Sequence, residues 1–373
     1  MKRIIAFITV LFVLASFSAS AYAEDYSELL KDYGADSLSD SLPDEAKNSL
    51  SDIGVDGPDI SALNELSFQK IIDEILSSAA ENGSAPLRTL ALITAVMLLY
   101  SVLYGVKGSF DNSSMQQVMS VCVTLSVTAA LVNPAVGVIK ASIDAFSAAS
   151  GFMLAYLPVM LAVMTASGRA VSGGSYYALM SLAGQAVAQV SSRVLAPFLK
   201  LFLGLSIACA ISPSVNLGGF VRFLSKLIKW GLGFIMTLFT GALTLRQLIS
   251  GGLDSVGTRA VKFTLSSLVP VVGSALSEAY KTVQSSIGLL RSGVGVFALL
   301  AVIAVFMPVV IKCLWWLLVL WLSKSAGELM GLKEPCFLLE SVSSVFSVIL
   351  AITLSVCAVF VISTAALFIL GGS

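Results

Sequence analysis

The sequence predicts an all-α, polytopic membrane protein of about six to eight transmembrane helices, with a cleaved signal peptide and a small helical exported segment in front. Three observations carry this. From Pro86 to Ser373 one apolar segment follows another, and Met115–Ile139, Ser292–Ile311 and Ser341–Gly371 contain no charge at all. About twenty apolar residues at 1.5 Å per residue cross a hydrocarbon core of roughly 30 Å. The mean hydropathy is +0.93, with 57% hydrophobic and 12% charged residues, against roughly 25% charged in soluble domains. The net charge of zero hides a regional split: residues 24–85 hold fifteen acids and three lysines, residues 86–373 seventeen Lys/Arg and seven acids.

The first 23 residues read as a signal peptide. Lys2 and Arg3 precede the apolar run Ile4–Phe17, and Ala21-Tyr22-Ala23 provides the small-residue cleavage pattern before Glu24. An uncleaved anchor helix is the alternative, and both place residues 24–85 outside the cytoplasm. In that acidic exported segment Leu38, Leu42, Ala46 and Leu50 recur every four residues, and Phe68, Ile71, Ile72, Ile75 and Leu76 follow the spacing of one helical face. Gly54, Gly57 and Pro58 break the pattern, and Asn82-Gly83-Ser84 closes it. The segment is expected to be either a solvated spacer on the membrane or a docking surface for an extracytoplasmic partner.

Residues 86–373 form the polytopic domain. The candidate spans are Leu87–Val106, Gln117–Ile139, Phe146–Ala166, Tyr176–Val190, Val194–Ile211, Trp230–Ile249, Val294–Leu322 and Ser341–Ile369. Seven crossings are expected, the fourth segment being the weakest because Gln185 and Gln189 share a face near Ser181 and Gly184. Arg222, Lys226 and Lys229 form the densest basic cluster, set against Phe220, Phe223, Leu224 and Leu227. This predicts an interfacial helix near 217–229, on the cytoplasmic side by the positive-inside bias, touching anionic lipid or a partner. Residues 250–291 combine a Gly-rich stretch, a short apolar run containing Pro270, and an amphipathic stretch with Leu276, Tyr280, Val283, Ile287 and Leu290 on one face. A re-entrant or surface element fits them. A faint repeat relates Pro158, Pro197 and Lys200 to Pro270, Pro308 and Lys312, as in transporters built from duplicated halves.

Chemistry is sparse. Without histidine there is no Ser-His-Asp triad and no histidine-based zinc site. Cys122, Cys209, Cys313, Cys336 and Cys357 are widely spaced and form no CxxC, so they read as core thiols, and no Walker motif occurs. No catalytic, cofactor-binding or metal residue is assigned and no nucleic-acid partner is expected. Intramembrane charge is the remaining pointer to mechanism: Lys312, in an apolar run behind Pro308, is a candidate because ionisable groups in lipid are costly.

The stretch Arg259-Ala-Val-Lys-Phe263, then Leu268-Val-Pro-Val-Val-Gly-Ser-Ala-Leu-Ser-Glu-Ala-Tyr-Lys-Thr-Val283 and on through Gly288 to Gly295, resembles the stage III sporulation protein AE family. The order of parts agrees along the chain. The resemblance implies a multi-pass protein of the mother-cell membrane surrounding the forespore. It also implies a secretion-like channel complex with a separate ATPase and ring-forming proteins as partners, and a demanding structural or gating element at Pro270, Gly273, Ser277, Glu278 and Thr282. The expected role is a non-enzymatic platform or export gate; a stand-alone secondary transporter for a small solute is the rival.

Overall fold

The computed structural model describes residues 24–59, 63, 66–106, 113–211, 219, 223–246 and 273–369, and these contain helices and no strand. The chain opens with α1 (Glu24–Asp32), a 3₁₀ turn (Asp36–Ser41) and α2 (Asp44–Asp52). The long elements follow: α3 (Phe68–Val106), α4 (Ser113–Ala166), α5 (Ala170–Val190), α6 (Ala196–Ile211), α7 (Phe223–Arg246), α8 (Gly273–Leu329) and α9 (Lys333–Ile369). Among the described residues six helical stretches are long and apolar enough to cross a membrane.

Two pairs of expected spans prove to be single rods. Gln117–Ile139 and Phe146–Ala166 are halves of α4, which runs unbroken for 54 residues. The residues between them, Lys140 to Ala145, include no glycine, proline or asparagine, so nothing there favours a turn over continued helix. Likewise α5 passes into α6 through a π turn at Ser191–Leu195 instead of a loop. Pro197 follows at once; it has no N–H to give the preceding turn, and a widened π turn absorbs that missing bond. The helix also continues through two expected boundaries. α3 carries on across Asn82-Gly83-Ser84 and Pro86, and residues 273–291 are the start of α8 rather than a separate surface element. Residues 223–229 are the first turns of α7; the rest of the expected interfacial helix, 217, 218 and 220–222, and residues 250–272 lie outside the described residues.

Where the chain does turn, glycine does it. Gly168 (φ +76°) closes α4 and Gly331 (φ +71°) closes α8. At each, the next residue donates its N–H back five residues, Arg169 to the Met164 carbonyl at 2.9 Å and Leu332 to the Gly327 carbonyl at 3.0 Å. This is the Schellman cap, which satisfies orphan carbonyls at a helix end. The same closure ends α1 at Gly34 and α2 at Gly54.

α8 is the axis of the bundle. It packs against α3, α4, α9 and both N-terminal helices, and 72% of its most apolar window is buried, against 6% for α7. The N-terminal segment is folded onto it. Leu38, Leu42, Ala46, Leu50 and Val55 are buried and join the main core, so the four-residue spacing marks the inward face even though Pro43 separates the 3₁₀ turn from α2. The second expected face behaves differently: Ile75 and Leu76 are exposed.

α3 lies against α8 with little tolerance. A Cβ on Gly83 would stand 2.9 Å from the Trp315 ring, whereas one on Gly137 of α4 would meet nothing within 4 Å. Gly83→Leu is therefore expected to destabilise the bundle by about 1–3 kcal/mol and Gly137→Leu to leave it unchanged, measured by thermal unfolding in detergent; equal melting of the two variants would contradict this packing.

Candidate functional site

Ring contacts set the register of α4 on α8. Phe146 meets Phe306 with centroids 6.1 Å apart and Phe152 meets Phe297 at 6.4 Å, so the helices run antiparallel. Carrying that register one step further brings Lys140, at the middle of α4, level with Lys312, about two-thirds of the way along α8. Here α2 docks: Glu45 Oε1 lies 3.6 Å from Lys312 Nζ, the two side chains being 64% and 32% exposed. One turn on, Trp315 donates its indole N–H to the Ala79 carbonyl at 2.8 Å. Lys140 and Asp144 are exposed at the same height. The result is a charged waist at the level of the middle of α4 and the second half of α8. Lys312 is thus a half-exposed partner of the N-terminal segment instead of an isolated charge in lipid. Such a pair is worth about 0–1 kcal/mol.

The other sequence-predicted residues divide by location. Pro270 and Arg222 lie outside the described residues. Gly273, Ser277, Glu278 and Thr282 are helical in the opening turns of α8. Lys226 is exposed on α7, and Lys229 donates to Ser347 Oγ of α9 at 2.7 Å, so one lysine of the basic cluster ties α7 to the bundle. At the α8–α9 turn Lys324 pairs with Glu340 at 3.0 Å and Glu328 at 3.6 Å. Of the cysteines, Cys313, Cys336 and Cys357 are buried and Cys122 is exposed.

A buried polar cluster escaped the sequence reading. Arg291 is 8% exposed, Tyr156 0% and Tyr176 8%. The register above sets Arg291 within about a turn of Tyr156. Tyr156 and Arg169 are electrostatic neighbours of Arg291, and Tyr156 of Tyr176. Both tyrosine hydroxyls are buried with no hydrogen-bond partner. The signal was present: Arg291 stands four residues after Ile287 and three before Val294, inside the apolar stripe of α8, where a cation is out of place. Among the described residues no three His, Cys, Asp or Glu side chains gather as a metal set.

The waist makes a direct prediction. Lys312→Glu and Glu45→Lys should each lower stability by up to about 1 kcal/mol, and the double exchange should restore it. Denaturation of the three variants in detergent measures the coupling, and additive losses would show that the pair does not interact.

Comparison with known proteins completes the description. The family model for stage III sporulation protein AE matches residues 59–371. The stage III sporulation protein AE of Bacillus subtilis (strain 168) is 24% identical over 296 residues, which is 78% of this chain and 71% of the relative. No solved structure matches.

Proposed function

This chain belongs to the stage III sporulation protein AE family, and from that premise we propose that it is a non-enzymatic platform or export gate in a secretion-like channel complex between mother cell and forespore. The observation that carries the reading is helix length. α4 and α8 contain 54 and 57 residues, about 81 and 86 Å at 1.5 Å per residue, against a hydrocarbon core of roughly 30 Å. Even at a tilt of about 40° such rods stand roughly 60 Å tall. The bundle nevertheless exposes large apolar side chains along most of its length, among them Leu99, Leu125, Leu182 and Leu201. Apolar surface taller than a bilayer needs protein as well as lipid to cover it, which suits a component of a larger assembly better than a carrier working alone.

In this reading the N-terminal helices lie outside the cytoplasm, docked on α8 at the waist, and present exposed Asp36, Asp40, Asp44, Asp52 and Asp56 outward. The proposed partners are ring-forming proteins and a separate ATPase that supplies the energy.

Deletion in an endospore-forming host should permit engulfment and arrest the forespore afterwards, scored by membrane-dye microscopy and heat-resistant colony counts. Affinity capture of the full chain from sporulating cells in mild detergent should co-purify the ATPase and ring proteins. Normal spore yield from the null strain, or solute transport by the purified chain alone in vesicles, would overturn the assignment.

A further inference from the structure

We propose that the α4–α5 hairpin and the facing part of α8 form a binding site for a phosphate group, held by Arg291 together with the hydroxyls of Tyr156 and Tyr176. The inference does not depend on the role proposed above.

Its first support is an uncompensated charge. Arg291 is buried, and a buried guanidinium away from water requires an anion. Among the described residues no carboxylate pairs with it. Between Asp144 and Glu328 the only acids are Asp254 and Glu278. Glu278 lies thirteen residues before Arg291 on the same straight helix, about 20 Å along its axis, beyond the combined reach of the two side chains. Asp144 is twelve residues from Tyr156 on α4, about 18 Å away, and α5 contains no acid. No described carboxylate forms an ion pair with Arg291. The nearby charged group on the hairpin is Arg169, which adds a second positive charge.

The second support is independent: two phenol hydroxyls, both buried, have no hydrogen-bond partner. A buried polar group without a hydrogen-bond partner is rare, and a bound ion is one of its explanations. A phosphate oxygen accepts from a phenol O–H and from the paired N–H groups of a guanidinium alike. Guanidinium and two hydroxyls therefore form one donor set of the kind that binds an oxyanion with several acceptor oxygens.

The hairpin cap points the same way. At the other three glycine closures the residue after glycine is apolar, Ala35, Val55 and Leu332, and is buried. At the α4–α5 closure that position is Arg169, so the turn beside the cluster carries positive charge where the cap ordinarily makes an apolar contact. The phosphate can come from a lipid headgroup or from a free phosphate; the chemistry is shared, and the test separates them.

The full-length protein in maltoside micelles, which contain no phosphate, is titrated with inorganic phosphate and, in parallel, with phosphatidylglycerol, reading the unfolding temperature. A saturable rise is expected. A rise with inorganic phosphate assigns a free phosphate, and a rise with phosphatidylglycerol only assigns a headgroup. Arg291→Met should weaken the apparent Kd by about tenfold or more, and the Tyr156→Phe/Tyr176→Phe double variant by several-fold. Arg193→Gln, an exposed arginine on the π turn, should match the wild type. Should Arg291→Met fail to fold, the tyrosine variant, which preserves volume, decides. No saturable rise with either probe, or identical titrations for wild type and the tyrosine variant, would overturn the site.

Discussion

The constraint on which this structure depends is the mismatch between helix length and hydrocarbon thickness. One slab of roughly 30 Å cannot hold both apolar halves of a 54- or 57-residue helix. The bundle meets this in two ways. It places the longest rod, α8, at its axis, where α3, α4 and α9 cover most of its apolar length. It also interrupts the outer apolar surface with Lys140, Asp144, Lys312 and Glu45, which divides α4 into two apolar lengths nearer to what a bilayer accommodates.

Positive charge within the rods is handled in two contrasting ways, and the contrast separates structural from ligand-seeking residues. Lys312, Lys324 and Lys229 each reach a partner, on the N-terminal segment, across the α8–α9 turn, and on α9 respectively. These lysines are partly exposed, keep part of their hydration, and contribute modestly. Arg291 is buried among aromatic side chains and has no described counter-charge. A protein accommodates such a group at a cost of several kcal/mol, so its persistence needs an offsetting interaction, which the proposed phosphate would supply.

Much of the architecture was legible in the sequence, and the parts that were not fail for a shared reason. Runs of apolar residues identified each membrane helix, and the four-residue spacing of Leu38, Leu42, Ala46 and Leu50 identified the docked face. The boundary expected between Ile139 and Phe146 is not there: Lys140 and Asp144 lie on continuous helix because their neighbours include no chain-breaking residue, while the turns that close α4 and α8 carry Gly168 and Gly331. The opposite error occurred at Arg291. It was taken as the end of an amphipathic stretch, yet its place between Ile287 and Val294 on one face already argued for burial. The pairing of Lys312 with Glu45 joins residues 267 positions apart, a contact that no local pattern contains.

That pairing also shows which forces hold the N-terminal segment. The ion pair contributes about 0–1 kcal/mol, and the Trp315 to Ala79 hydrogen bond about 1 kcal/mol. Burying a leucine contributes about 1.5–3 kcal/mol, and Leu38, Leu42 and Leu50 are each at most 5% exposed. Apolar burial therefore dominates the docking, and the ion pair acts on register: it favours the seating in which the single acid on that face, Glu45, meets the single lysine of the central stretch of α8. Asp36, Asp40, Asp44, Asp52 and Asp56 are exposed. An amphipathic layer docked this way replaces an apolar patch of α8 with an acidic outer face, so the waist presents negative charge to whatever approaches the bundle at that height.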